Sequence, residues 1–521
     1  MKNSIRPESC YLGIELGSTR IKACLVDESY APVATGGFEW ENKYENGYFT
    51  YAIEDIHAGV KACYASLCED ARARYGVTLT SVGAIGISGM MHGYLAFDEH
   101  DNLLVPFRTW RNTTTEAAAT ALTSLFDFNV PQRWSIAHLY QAILSGEEHV
   151  GRIAHITTLA GYIHYLLTGR WEVGIGEASG IFPVGDADYD GSMLDAFDAL
   201  IADRGYGWRI RDVLPAVRLC GDTGAILTEP GARFLDPSGA LTSGIPLCPP
   251  EGDAGTGMVA TNSVERRTGN VSAGTSVFSM LVLEKPLDGV YPEIDVVSTP
   301  SGDPVAMVHS NNGCSELDLW VRMFGEFASL AGMDADRSAL YELLYTHAMT
   351  ADADCAGVIS YNYLAAEPVA GVEAGCPMYF RERGSTLSLA SFFRSQLYAA
   401  IAVLRLGMDI LTEREGVTAG HFNAHGGLFK VRGVAAQCLA DALDTPVSVS
   451  SSAGEGGAWG MALLAAYMMR GEGATLGAWL SEAVFSRVER VTVEPDSASV
   501  AAFSEYLTAY KAGLAAQRAM G

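Results

Sequence analysis

Apolar positions alternate with small or polar ones over Tyr11–Leu16, break at Gly17, Ser18 and Thr19, and alternate again over Ile21–Val26. This pattern predicts two strands joined as a hairpin. Spacing turns helical from Tyr51 to Tyr75, and Val82–Ile87 reads as a buried strand that ends in Ser88, Gly89, Met90, Met91, His92 and Gly93. A shorter strand-like piece, Leu103–Pro106, leads into an aromatic and polar stretch from Phe107 to Thr115. Glu116 to Leu167 is mainly helical and closes at Thr168 and Gly169, a C-cap signal. Gly174 to Gly239 mixes Asp and Gly and predicts a lobe of loops and short elements. Further on come a strand-turn-strand over Gly269–Leu283, a long core helix over Leu387–Arg414 and a short strand over Val417–Phe422. Helices follow over Val434–Leu443 and Ala458–Met469, and the helical tail from Pro495 is expected to be peripheral.

The hairpin of Gly13–Val26 thus recurs in layout at Gly269–Leu283, with Gly274, Thr275 and Ser276 in its turn. Each turn can present N–H groups and hydroxyls to a phosphate, and Glu15 can reach a metal beside the first. Between the two copies, Asp253 stands among small residues that let a ligand approach the backbone closely, behind Pro249 and Pro250, which stop a strand or helix from running through. Strand ends such as Ser88–Gly93 are where α/β folds meet ligands, although a lone histidine like His92 is ordinarily a core residue. Trp110 beside Asn112 and hydroxyls suits a sugar, and the same polar residues suit a helix N-cap. His421 and His425 are spaced i,i+4, but beside Gly426 and Gly427 they are not expected to bind metal.

With 521 residues the chain exceeds one ordinary core and predicts at least two domains, and its 56 glycines suit an α/β enzyme with many tight turns. A net charge of −26 argues against a nucleic-acid or anionic-membrane surface, without excluding an anionic small ligand held by backbone N–H groups. The 10 cysteines include no CxxC pair and read as reduced thiols. Met1 to Cys10 lacks an apolar signal region and no apolar run nears the ~20 residues of a membrane span, so the expected location is cytoplasmic. No Gly-Lys pair exists, which removes the P-loop pattern GxxxxGK[ST]. Gly255, Gly257 and Ala260 fit GxGxxG/A, but no acidic residue follows at about twenty residues, which disfavours a dinucleotide fold. What remains is a nucleotide site built from separate turns, with Asp253 as the carboxylate that orients and deprotonates an attacking hydroxyl.

These residues resemble the FGGY carbohydrate kinases over Tyr11 to Met469. The matching pieces are Ile14–Lys22, Gly86–Gly93, Leu166–Arg170, Gly252–Gly255, Ser272–Ser276, Gly426 with Gly427, and Ala453–Ala458. The resemblance implies an α/β fold of two actin-like, ribonuclease-H-like ATPase domains with a cleft between them. It assigns residues 1–260 to the sugar-binding domain, with the first phosphate turn and the catalytic Asp253, and 261–521 to the domain carrying the second phosphate turn and the adenosine pocket. ATP and Mg²⁺ are implied, with Glu15 at the metal, and Gly17, Ser18, Thr19, Gly274, Thr275 and Ser276 on phosphate. Gly426, Gly427, Gly454 and Glu455 would line the adenosine pocket, and Met91, His92, Trp110, Asn112 and Asp253 would meet the sugar.

This chain departs from the family pattern at Glu15 and Asn112, where Asp is usual, at Met90, where xylulose kinases have Gln, and at Thr115, near a common Arg. A carboxylate at position 112 would only accept hydrogen bonds, whereas the amide also donates. A ketopentose such as xylulose or ribulose is the first expectation for the acceptor, and a homodimer is expected by analogy. Two other readings compete. One is a kinase-like sensor that binds sugar or nucleotide without transfer, and the other is an actin-like assembly ATPase.

Overall fold

The computed structural model describes residues 5–333, 336–450 and 456–520, and the chain separates into two compact units. The first comprises Met1–Val264, Asp295–Val305 and Glu455–Arg487, and the second Glu265–Ile294, Ala306–Gly454 and Val488–Gly521. Two late segments thus return to the first unit, an exchange that a linear division at 260/261 does not contain.

In the first unit, Tyr11–Leu16 and Arg20–Val26 pair antiparallel with Leu16 opposite Ile21, so Gly17, Ser18 and Thr19 form the expected turn. Ala84–Gly89 lies parallel on the other side of Tyr11–Leu16, in a register that sets Glu15 beside Ser88. The sheet runs in the order Ala225–Ile226, Pro246–Leu247, Ala84–Gly89, Tyr11–Leu16, Arg20–Val26 and Pro32–Glu39. The two-residue strand Glu251–Gly252 also pairs with Ala84–Gly89, placing Glu251 beside Ser88. The helix Ile53–Tyr75 covers one face and ends on Gly76 in the left-handed conformation. The other face is covered by the helix Gly456–Arg470, whose close approach depends on missing side chains. A Cβ at Gly13 would stand 2.1 Å from the Ala458 carbonyl, and one at Gly460 would stand 2.0 Å from that of Thr256. No helix among the described residues is long and apolar enough to cross a membrane, and no disulfide joins two cysteines among the described residues.

The second unit repeats the arrangement. Thr268–Ala273 and Val277–Val282 pair antiparallel around Gly274, Thr275 and Ser276, and His421–Gly426 lies parallel beside the first of them. Val447–Ser450 and Arg490–Val493 extend the sheet beyond His421–Gly426. The internal repeat is therefore one of topology: a hairpin with a parallel strand against its first arm.

Three elements differ from the sequence reading. The strand expected at Val417–Phe422 lies at His421–Gly426. Only Phe422 and Ala424 bury deeply there, too few apolar positions to mark the strand. Leu103–Pro106 forms no strand, only a bridge from Leu103 to Phe97, since Pro106 has no N–H to donate. The tail helix Ser497–Met520 is not peripheral: it buries Phe503, Tyr506, Leu507, Tyr510 and Leu514 in the core of the second unit. Tyr510 accepts on its carbonyl from the Tyr361 hydroxyl at 2.6 Å.

Candidate active site

The Pro249-Pro250 kink ends one strand and lets Glu251–Gly252 pair briefly before Asp253 opens the helix Asp253–Ala260. A helix N-terminus favours a carboxylate, and the Met91 N–H donates to Asp253 Oδ1 at 3.2 Å. Burial works the other way and, with the Glu15 charge adding to it, raises the Asp253 carboxyl to about 6 despite backbone hydrogen bonds. Asp253 is thus a half-buried carboxylate, ionised at neutral pH and more basic than an ordinary aspartate, which suits a proton acceptor.

Glu15 closes the same strand-end cluster. Its side chain is mostly buried, Lys22 Nζ stands 3.6 Å from Oε2, and that oxygen has no hydrogen-bond partner. A Cβ at Gly457 would sit 2.6 Å from Oε1, so the glycine makes room for the longer acid. No group of three or more metal-capable side chains exists among the described residues. A Mg²⁺ ion is ordinarily held by one or two carboxylates together with phosphate and water, and the Glu15 oxygen that accepts no hydrogen bond fits that mode.

The sequence reading passed over two further acids. Glu251 is fully buried and accepts the Glu177 N–H at 2.9 Å. Its carboxyl fits only because positions 174 and 176 are glycine, where a Cβ would stand 2.1 and 2.4 Å from its oxygens. Burial raises it to about 8. Glu177 is also fully buried, neither of its oxygens makes a well-formed hydrogen bond, and burial raises it well above the glutamate range, with the nearby Thr158 hydroxyl opposing and Glu251 and Asp253 adding. Glu251 is therefore mostly protonated at pH 7, and Glu177 is shifted in the same direction. Spacing could not reveal them, because their chemistry comes from burial between segments far apart in sequence.

His92 sits at φ 67°, a strained conformation for a residue with a Cβ. Its Nδ1 lies 3.1 Å from the Gly180 carbonyl, which can only accept, so Nδ1 carries the proton and Nε2 is the acceptor. Burial, reinforced by Arg133, lowers His92 to about 3, so the ring stays neutral. Met91 packs against Gly252, where a Cβ would stand 2.2 Å from its Cγ. Met90 donates its N–H to the Leu16 carbonyl at 3.0 Å, tying this strand end to the first turn.

Trp110 is 38% exposed, and its indole N–H donates to Ser18 Oγ at 3.1 Å. Asn112 is committed differently from the sugar contact expected of it. Its Oδ1 accepts the Phe49 N–H at 2.8 Å, and its Nδ2 donates to the Phe49 and Thr109 carbonyls, each at 2.9 Å. These bonds pin the turn that carries Trp110 onto the strand Tyr48–Thr50. Thr115 Oγ1 donates to the Gln132 carbonyl.

In the second unit, the Gly274 N–H donates to the Ser276 carbonyl at 2.9 Å, while the Gly274 and Thr275 carbonyls accept from Cys314 and Gly313. Gly426 pairs beside Ala273 at φ 105°, with no room for a Cβ. The segment after Gly427 borders a cavity of about 500 Å³ lined by Phe429, Lys430, Arg432, Val449, Arg490 and Val491 among others. Gly454 and Glu455 lie outside the described residues. His421 and His425 each have a buried, unpartnered Nε2.

The repeated hairpins and the strand-end acids define a two-domain, actin-like ATPase architecture. The N-terminal domain of the FGGY family of carbohydrate kinases matches residues 10–218, and the C-terminal domain of that family matches residues 269–469. The chain belongs to the FGGY family of carbohydrate kinases, which are ATP-dependent phosphotransferases. Similar solved structures include a xylulose kinase from Rhodospirillum rubrum, at 18% identity and TM-score 0.78, covering 98% of this chain and 99% of that one. A gluconate kinase from Lactobacillus acidophilus matches at 16% identity and TM-score 0.77, covering 98% and 99%. A Plasmodium falciparum glycerol kinase with ADP matches at 14% identity and TM-score 0.73, covering 96% and 97%. Among curated protein sequences there is no match.

Proposed function

We propose that this kinase transfers the γ-phosphate of ATP to a hydroxyl of a small sugar, a ketopentose such as xylulose or ribulose first among them, with Asp253 as the general base. The observation that carries this reading is the half-buried Asp253 carboxylate, fixed by the Met91 N–H and made more basic by its surroundings. Asp253 accepts the hydroxyl proton as the sugar oxygen forms its bond to the γ-phosphorus and the bond to the ADP oxygen breaks. His92 Nε2 accepts a hydrogen bond from a second sugar hydroxyl, which orients the acceptor. The main-chain N–H groups of Ser18 and Thr19 contact phosphate, as does the turn of Gly274, Thr275 and Ser276 in the second unit. Mg²⁺, when bound, neutralises charge on the phosphates, and Glu15 is the residue that would hold it. For the adenosine we assign the cavity beyond Gly426 and Gly427, where Phe429, Val449 and Val491 suit a base and Lys430, Arg432 and Arg490 suit anionic groups.

A coupled ADP-release assay with Mg·ATP over ketopentoses, aldoses, polyols and gluconate tests the proposal. One acceptor should turn over, and Asp253→Asn should lower kcat by ~10²-fold or more, the scale of a lost general base. ADP release from no acceptor, with ATP and sugar still bound, would instead establish the sensor reading.

A further inference from the structure

The turn of Gly17, Ser18 and Thr19 is held by aromatic donors that the sequence places far from it. The Trp40 indole N–H donates to the Gly17 carbonyl at 2.8 Å. The Tyr51 hydroxyl donates to the Ser18 carbonyl, and the Trp40 main-chain N–H donates to the Thr19 carbonyl at 3.2 Å. The Trp40 and Tyr51 rings stack with centroids 4.3 Å apart, and both side chains are buried. All three carbonyls of the turn are therefore engaged by the protein. The N–H groups of Ser18 and Thr19 donate to no acceptor among the described residues. A turn with its carbonyls tied back and its N–H groups free is an anion cradle.

Trp110 differs from the other two. It is exposed, its ring faces no aromatic or cationic partner among the described residues, and its indole N–H on Ser18 Oγ holds it to the turn. The hydrogen bonds of Asn112 fix the backbone of its turn against Phe49, two residues from Tyr51. The Met90 N–H on the Leu16 carbonyl joins the turn to the strand end whose Met91 N–H holds Asp253. The free indole face thus belongs to the same end of the sheet as the base, and flat aromatic faces pack well on the C–H face of a sugar.

We propose that Trp110 is a positioning residue that couples acceptor binding to the phosphate turn: a sugar packed on the ring fixes the indole, and the indole N–H fixes Ser18. This rests on the sugar-kinase reading above. By linkage, acceptor and ATP then strengthen each other's binding by one common factor. Tight phosphate engagement is thereby reserved for enzyme that already holds its acceptor, which suppresses transfer to water.

Trp110→Phe keeps a ring for the sugar and removes the N–H, while Ser18→Ala removes the acceptor of that bond. We expect each to lower kcat ~5–10-fold, the worth of one hydrogen bond, with the KM for the sugar in Trp110→Phe within about twofold of wild type. The double variant should be no slower than the worse single, since both delete one interaction, and Ser18→Thr should retain activity. The decisive measurement is ATP affinity by calorimetry with and without saturating acceptor, in wild type and Trp110→Phe. Acceptor-enhanced ATP binding that is lost in Trp110→Phe supports the coupling. Undiminished enhancement, or additive losses in the double variant, overturns it while leaving the kinase reading intact. Absence of turnover on the whole sugar panel by wild type removes both readings together.

Discussion

Asn112 shows how a single side chain can change its part without changing its place. A carboxylate there could still accept the Phe49 N–H, but it would face the Phe49 and Thr109 carbonyls with no proton to give. Asn112→Asp should therefore destabilise the fold by ~2 kcal/mol, from two lost bonds and a buried charge facing acceptors. Thermal denaturation measures that loss. Asn112→Ala should be milder, because it leaves unpaired groups but introduces no charge. Greater stability of the aspartate variant over the alanine one would show that the amide is not the clamp described. The same residue explains what could be read in advance. The aromatic and amide at Trp110 and Asn112 stood out in the sequence, whereas the direction of the Asn112 bonds depended on Phe49, sixty-three positions away.

At the scale of elements, the sequence announced what is local. Gly17–Thr19 and Gly274–Ser276 were legible as hairpin turns because small hydroxylated residues interrupt strict alternation, and the helix Val434–Leu443 was legible from apolar spacing and lies where it was expected. Elements defined by partners were not. The strand His421–Gly426 owes its position to the ladders on both of its sides, and the acids Glu177 and Glu251 acquire their character from burial that brings together positions seventy-four residues apart. The helix Gly456–Arg470 belongs with these, since its seat on the first sheet and on the helix Asp253–Ala260 requires glycine at 13, 457 and 460. A methyl at Gly460 would stand 2.0 Å from the Thr256 carbonyl, and the backbone there has no flexible side chain to yield. Gly460→Ala should lower stability by ~1–3 kcal/mol or more, in the range of overpacked cores. It should also raise the KM for ATP·Mg by displacing Gly457 from Glu15. An alanine variant with wild-type melting temperature would show that the helix can shift at no cost.

For the whole molecule, the buried acids make activity and stability respond to pH in opposite senses. Asp253 must be ionised to accept a proton, so kcat/KM should rise with pH through about 6 and level off above it. Glu251 is raised in the folded protein to about 8, against an ordinary glutamate near 4.3 when unfolded. Between those values the folded state holds a proton that the unfolded chain has released. Its stabilising contribution is complete below the unfolded value and is lost as pH rises through the folded one, by up to ~1.4 kcal/mol per pH unit per group. Glu177 acts in the same direction. The enzyme should therefore gain rate but lose melting temperature from pH 5.5 to 8.5, and its net charge of −26 adds self-repulsion at the alkaline end. Glu251→Gln separates the local effect from the global one. The amide keeps an oxygen for the Glu177 N–H and cannot ionise, so its melting temperature should fall less steeply over this range while the activity limb stays near pH 6. Parallel stability profiles for wild type and variant would assign the alkaline loss to Glu177 and the net charge instead. A flatter profile in the variant would locate it in the acid behind the base.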